Sequence, residues 1–384
     1  MKIPKILFAF GTRPEAIKLA PIIQEIRKKD NKKFFESYIC ITAQHREMLD
    51  EVLRLFKIQV DYDLNIMEPN QTPRLVTEKI LKSFYPYLKK TNPDLVIVQG
   101  DTTSAFACAL LAFYEKIKIA HVEAGLRTED KFQPYPEEMN RRLISPLADI
   151  NFAPTKIAKE NLLKENITKE RIFVTGNTVV DALLKIKKKF KIKNNKIKDN
   201  IKKEKNILVT IHRRENWGKP LEEVCEAIKK LTEIYPFLKF YIPVHLNPNV
   251  KEVIYNKLKN ISQVNLLSPL PYFELLQLMG KSFLILTDSG GICEEAPSFN
   301  VPVLILRNKT ERKEAVIKGL AKLVGTSYEN IIKDVRGLIN NSKKYNQMIK
   351  KINPFGDGKA AKRIIEYLKF YYGFTNKKPA PFNR

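Results

Sequence analysis

Short apolar runs rich in Ile, Val and Leu alternate, from one end of the chain to the other, with longer stretches in which apolar residues recur at helical spacing. That alternation predicts parallel sheets covered by helices. In the first half it predicts strands at Lys5–Phe10, Tyr38–Thr42, Leu95–Gln99, Ile119–Val122, Ile150–Ala153 and Ile172–Thr175. In the second half the predicted strands are Ile207–Ile211, Lys239–Val244, Val264–Leu267, Phe283–Thr287, Val301–Leu306 and Ala321–Val324. A helix fits between successive strands of each set, so the expected fold class is α/β with two similar lobes. Ligands of such sheets bind beyond the carboxyl ends of the strands. Two lobes facing a central cleft would line it with strand-end loops, and the polar residues that matter should follow strands.

At 384 residues the chain has room for two domains of ~150 residues each. The boundary is expected where few contacts need cross, and a Lys-rich stretch from Lys185 to Lys205 lies between the two strand sets. Domains are therefore expected at residues 1–180 and 181–364. The net charge of +26 invites a polyanion or membrane-surface partner. Composition argues otherwise: 52 of the 68 basic residues are Lys, and the Lys185–Lys205 stretch alone carries +9. Like-charge runs of this kind are usually solvated, so neither nucleic acid nor membrane is expected as a partner. The longest apolar run, Ala105 to Phe113, is far short of the ~18 residues a membrane helix needs, and a cytoplasmic chain is expected. Cys40, Cys108, Cys225 and Cys293 lie far apart in apolar segments and read as buried free thiols.

Candidate chemistry follows the strands. Phe10-Gly11-Thr12-Arg13-Pro14 is a strand, a Gly turn and a Pro in the first helical turn, where backbone amides and Arg13 converge on an anion position; Lys18 falls about one turn further on. A helix start with surface cations would explain the same residues equally well. Asp101 follows Leu95–Gln99, Glu123 follows Ile119–Val122, and Glu137 and Arg141 come from a helix opened by Pro136. Asp101 also suits an N-cap and Glu137 a first helical turn. Glu123 has no such structural use, and an acid at an apolar strand end is costly unless paired or functional. Carboxylates crowded in one cleft raise one another's pKa, the separation that general acid–base work requires. In the second half, His212-Arg213-Arg214 ends a strand with groups suited to phosphate. Asp288-Ser289-Gly290-Gly291 opens a helix with a turn able to cradle a diphosphate, Glu295 can accept a ribose, and Arg312 joins the same rim. There is no NAD-type glycine fingerprint and no zinc spacing among His45, His121, His212 and His245, so neither a cofactor nor a metal is expected.

With those segments laid out, the sequence resembles the non-hydrolysing UDP-N-acetylglucosamine 2-epimerases. Ordered motifs carry the resemblance over nearly the whole chain: Gly11-Thr12-Arg13-Pro14-Glu15, Thr42-Ala43-Gln44-His45-Arg46-Glu47, Gln99-Gly100-Asp101-Thr102-Thr103, His121-Val122-Glu123-Ala124-Gly125-Leu126-Arg127, Thr175-Gly176-Asn177-Thr178, His212-Arg213-Arg214-Glu215, Asp288-Ser289-Gly290-Gly291 and Asn353-Pro354-Phe355-Gly356. The resemblance implies two Rossmann-like lobes of glycosyltransferase-B architecture, with a last helix, within about residues 365–384 or from near Ala360, crossing back to the first lobe. It also implies reversible 2-epimerisation of UDP-N-acetylglucosamine to UDP-N-acetylmannosamine, by elimination and re-addition of UDP through 2-acetamidoglucal, in cell-surface polysaccharide biosynthesis. A hydrolysing epimerase or a 2-epimerase of another UDP-sugar is the alternative within the same chemistry.

By the same resemblance Asp101, Glu123 and Glu137 are the acid and base candidates. His212 acts with Arg13, Ser289, Gly290, Gly291 and Arg312 on the diphosphate, and Glu295 holds the ribose. Lys18 and Arg141 contact substrate, and UDP is both leaving group and partner. Leu270 contacts uracil through its backbone, while Leu275 stands where relatives commonly carry a stacking Phe. Some bacterial members bind a second UDP-sugar as activator through the Gln44-His45 turn and an Arg, in whose place this chain has Asn70. Gln44 and His45 are thus candidate allosteric residues, and a homodimer is expected.

Overall fold

In a computed structural model of the chain, which describes residues 2–44, 46–68, 71–193, 204–349 and 352–383, the apolar runs fold into two wholly parallel sheets. The first holds β1 (Lys5–Phe10), β2 (Glu36–Ile41), β3 (Tyr62–Asp63), β4 (Leu95–Gln99), β5 (Lys118–Val122), β6 (Ile150–Ala153) and β7 (Ile172–Val174), in the order β3-β2-β1-β4-β5-β6-β7. Phe8 of β1 pairs with Ile39 of β2 on one side and Ile97 of β4 on the other. The second sheet holds β8 (Lys205–Thr210), β9 (Leu238–Pro243), β10 (Val264–Leu267), β11 (Leu284–Thr287), β12 (Val303–Ile305) and β13 (Ala321–Leu323), in the order β10-β9-β8-β11-β12-β13.

Both sheets are sandwiched by helices, which is why their central strands carry no polar face: all five residues of β4 are buried. In the first unit the helices Pro73–Thr91 and Thr103–Tyr114 pack Val76, Ile80, Phe84, Ala105 and Cys108 on Val96 and Val98. In the second, Leu221, Ile228 and Leu231 of the helix Lys219–Ile234 cover Ile207, Val209 and Phe240. Each such side chain contributes ~1.5–3 kcal/mol on burial. All four cysteines are buried and free. Burial pushes the thiols of Cys225 and Cys293 up to about 12 and those of Cys40 and Cys108 well above their ordinary value. No described helix is long and apolar enough to cross a membrane.

The chain divides into one unit of Met1–Ala182 with Phe355–Arg384 and another of Leu183–Pro354. The return to the first unit thus comes at Phe355, ahead of the expected residue 365. The cause is long-range: the Asn177 N–H donates to Phe355 O, and Asp181 accepts from the N–H groups of Ala360 and Ala361, capping the helix Ala360–Tyr371. The helix starts at Ala360 as one expectation had it, and beyond it the described chain, to residue 383, is irregular where the other expectation carried a helix to 384; Phe382 docks through its N–H on Val174 O. β3 was not expected, because its two residues are both exposed and carry no apolar signal. Residues 194–203, the middle of the Lys-rich boundary stretch, lie outside the described residues.

Candidate active site

In each sheet the strand order reverses once, and the predicted polar residues gather at those two reversals. The chain leaves β1 toward β2 and β3, then returns to the other side of β1 as β4; β8 and β11 repeat the move. At such switch points the loops after neighbouring strands diverge and leave a crevice at the carboxyl edge. Gly11-Thr12-Arg13 follows β1 and Gly100-Asp101 follows β4, while His212-Arg213 follows β8 and Asp288-Ser289-Gly290-Gly291 follows β11.

The first turn is tied down by Glu15. Its fully buried carboxyl accepts the N–H groups of Gly11 (3.2 Å) and Thr12 (2.8 Å) and, from the β4 loop, the Thr102 hydroxyl (3.0 Å). Gly11 must lack a side chain here, since a Cβ would overlap the Thr42 hydroxyl. Burial pushes Glu15 up to about 7 against the opposing pull of donors on Thr12, Gly11 and Thr102. Because the folded-state pKa lies above the ordinary 4.5, the folded chain holds a proton that the unfolded chain releases. Its stability contribution is full below pH 4.5 and lost as pH rises through 7. Against Glu15→Gln, wild type should lose about 3 kcal/mol of unfolding free energy over that interval and then level off. Denaturant titrations at a series of pH values check this; a pH-independent difference contradicts it.

Asp101 is not the N-cap that its position permits. Thr102 caps the helix Thr103–Tyr114 by accepting the Ala105 N–H at 3.0 Å, which leaves Asp101 to pair with Arg141 (Nη2 to Oδ2, 2.9 Å). Arg141, in the helix Glu137–Leu147, is 2% exposed, and its Nη1 has no acceptor among the described residues, so one edge of a buried guanidinium is left for something else. Glu138 beside Glu137 is fully buried and braces the preceding loop. It accepts from the Thr128 and Glu129 N–H groups (3.1 and 3.3 Å) and pairs with Arg142 (3.1 Å). His121 donates its Nε2–H to the Gly100 carbonyl (2.7 Å), and burial depresses it to about 4, so it is a neutral support of the Asp101 turn.

Glu123 ends β5 with φ +67°, a left-handed backbone uncommon outside glycine and characteristic of functional turns. The turn aims its carboxylate inward, where Oε2 meets Lys18 Nζ at 2.5 Å and Asn177 Nδ2 at 2.7 Å. Lys18, about one helical turn beyond Arg13, is thus brought to Glu123, and both partners are over nine-tenths buried. Arg13 is the half-buried first residue of the helix Arg13–Ile26.

In the second unit, buried Asp288 organises the β8 loop. It accepts from the His212 N–H (2.9 Å), the Arg213 N–H (2.8 Å) and Asn216 Nδ2 (3.0 Å), and faces His212 Nδ1 at 3.1 Å. Burial alone would push this carboxyl up, but the His212 imidazole and the two backbone donors overrule it and hold it at about 2. Gly290 lies against Arg312: a Cβ there would stand 2.8 Å from Glu311 Oε1 and 3.2 Å from Arg312 Cζ. Arg312 is gripped by Glu294 (Nε, 2.8 Å) and Glu311 (Nη1, 2.9 Å), and Glu311 also holds Arg307 at 2.8 Å. Glu295 is buried and takes the Tyr272 hydroxyl at 2.5 Å. Ser289, at the helix start, uses its N–H on Thr287 Oγ1 (2.9 Å), while its side chain makes no cap. Leu270 and Leu275 are half-buried at and near the start of the helix Tyr272–Lys281.

Within the first unit, then, Lys18 meets Glu123 and Asp101 meets Arg141. Within the second, His212 meets Asp288 and Gly290 meets Arg312. Gln44 accepts from Ser104 Oγ (2.9 Å), and Gln71 Nε2 donates to its carbonyl. His45 and Asn70 lie outside the described residues. The sequence reading gave no individual role to Glu15, Asn177, Tyr272 or Glu311, took Glu138 only as suited to a first helical turn, and Asp288 only as part of the diphosphate turn. Five of the six act through partners distant in sequence or on the backbone, while Glu311 holds the near neighbours Arg307 and Arg312; Glu15, three residues after Thr12, completes a capping box.

A family model described as UDP-N-acetylglucosamine 2-epimerase matches residues 27–369. The chain is 50% identical over 379 residues to the UDP-N-acetylglucosamine 2-epimerase of Campylobacter jejuni, covering 95% of this chain and 97% of that one. Among solved structures it is similar to the Neisseria meningitidis UDP-GlcNAc 2-epimerase bound to UDP-GlcNAc (TM-score 0.89, 49% identity, 95% of this chain and 99% of that one). It is also similar to the Methanocaldococcus jannaschii UDP-GlcNAc 2-epimerase in complex with UDP-GlcNAc and UDP (TM-score 0.84, 38% identity, the same coverage).

Proposed function

The chain belongs to the UDP-N-acetylglucosamine 2-epimerase family, and from that premise we propose that it interconverts UDP-N-acetylglucosamine and UDP-N-acetylmannosamine without hydrolysis, by expelling and re-adding UDP. The sugar C2–H is not adjacent to a carbonyl and cannot be removed directly. Cleavage of the C1–O bond sends its electron pair to UDP and leaves an oxocarbenium-like C1. A base then takes the C2 proton, and the C–H pair becomes the C1–C2 double bond of 2-acetamidoglucal. In the return, a proton is delivered to C2 on the opposite face and a UDP oxygen closes on C1.

The two halves of this chemistry fall to the two units. Glu123 and Asp101 end neighbouring strands of the first sheet, each beside a buried cation, Lys18 or Arg141. That pairing supports their work as carboxylate bases, with Glu137 as third candidate for the proton on the second face. In the second unit His212, Ser289, Gly290, Gly291 and Arg312 stabilise the charge that grows on the diphosphate as the bond breaks. Glu295, held by Tyr272, takes the ribose hydroxyls, and Leu270 and Leu275 face the uracil.

The observation that carries the reading is Glu123 itself: a carboxylate turned inward by a left-handed strand end, held by a lysine and an amide, with no capping duty. Proton NMR of UDP-N-acetylglucosamine with the enzyme in heavy water tests it. The expected product is nucleotide-linked N-acetylmannosamine carrying deuterium at C2. Epimerised product without that deuterium overturns the elimination route, and release of free N-acetylmannosamine favours the hydrolysing alternative.

A further inference from the structure

We propose that Asn177 is a positioning residue for the reaction: its side-chain amide fixes the orientation of the Glu123 carboxylate. The inference rests on the reading of Glu123 as an acid–base group. Asn177 is 2% exposed and follows β7 on the opposite flank of Glu123 from Lys18. Its Oδ1 accepts the Val179 N–H at 3.1 Å, at the start of the helix Thr178–Lys189. That bond settles which end of the amide points where and leaves Nδ2 to donate to Glu123 Oε2 at 2.7 Å.

The main chain of Asn177 is also held. Its N–H donates to Phe355 O at 2.6 Å, its carbonyl accepts the Val180 N–H at 3.2 Å, and Gly356 packs so closely that a Cβ there would lie 2.8 Å from Val180 Cβ and 3.2 Å from Asn177 O. A donor fixed from three sides costs little further ordering when it binds a carboxylate. The Lys18 ammonium supplies charge to the same oxygen but sits at the end of a four-carbon stem with three rotatable donors, so it sets no plane. The planar amide supplies the direction. Glu123 needs that help, since its carboxylate hangs from a left-handed backbone that the β5 ladder does not itself stabilise.

Asn177→Asp is the decisive variant. It is isosteric, keeps the oxygen that accepts the Val179 N–H, and turns the donor facing Glu123 into a carboxylate oxygen that repels it. Asn177→Ser keeps a helix-capping oxygen too short to reach Glu123 and serves if the aspartate variant does not fold. Either should lower kcat by about 10- to 100-fold, the worth of a hydrogen bond to a charged group, with KM and the UDP Kd within about twofold of wild type. Combined with Glu123→Gln, it should lower kcat no further than Glu123→Gln alone, because residues that act as a unit do not add. A disabled Glu123→Gln beside an Asn177→Asp of normal kcat would overturn the positioning role and leave the acid–base reading standing. Multiplicative losses in the double variant would overturn it too, by assigning Asn177 a separate structural effect. A fully active Glu123→Gln would remove the reading beneath both.

Discussion

Replacing Glu123 with glutamine should lower turnover by ~100-fold or more while leaving UDP affinity unchanged, since a positioned acid or base contributes roughly a hundred to ten-thousand-fold. Glutamine keeps the length, and its carbonyl can still accept from Lys18 and Asn177, so the geometry around Oε2 is largely preserved. It cannot take a proton from C2. It also removes the negative charge 2.5 Å from the Lys18 ammonium, which is 6% exposed, so some loss of thermal stability should accompany the loss of rate. Steady-state kinetics, UDP binding by calorimetry and exchange of the C2 proton with solvent deuterium together check the expectation. Near-normal turnover removes Glu123 from the mechanism.

The second large effect is expected on stability. Glu311→Ala deletes the carboxylate that bridges Arg307 (2.8 Å) and Arg312 (2.9 Å), both at most 5% exposed, with Arg213 a further 4.0 Å away. Glu294 stays on Arg312 and Glu215 on Arg307, but the carboxylate shared between the two guanidiniums is gone. Breaking a buried pair from one side costs roughly 3–5 kcal/mol because the stranded charge stays buried. At about 2–4 °C per kcal/mol for a unit of this size, the melting temperature should fall by roughly 6–20 °C. UDP affinity should fall with it, since Arg312 loses one of the two carboxylates that aim it. A melting shift within a degree or two would mean that the network relaxes and that Glu311 does not organise it.

The strands were legible because buried parallel strands write themselves as unbroken apolar runs: β1, β4, β6 and β10 fall where the pattern sets them, and the other expected strands within two residues. β3 was illegible because it pairs only Tyr62 and Asp63 with Cys40 and Ile41 and buries neither. The return at Phe355 was misplaced because it is fixed by Asp181, 179 residues before the helix start it caps. Within the site, residue types at strand ends marked the carboxylates and cations, while their pairing was another matter. Lys18 was read with Arg13 from one turn of helix, yet folding carries Glu123 to it from 105 positions away. Asp101 and Thr102 compete for one helix start, and which of them caps it depends on where Arg141 arrives. Pairing of that kind is set by tertiary packing, which local spacing does not encode.

The deeply buried thiols have a chemical consequence. With their ionisation suppressed, Cys40 and Cys108 in one unit and Cys225 and Cys293 in the other offer oxidants and alkylating reagents no thiolate at neutral pH. Each half of the chain therefore carries its own pair of dormant nucleophiles, which waken only when that half breathes open.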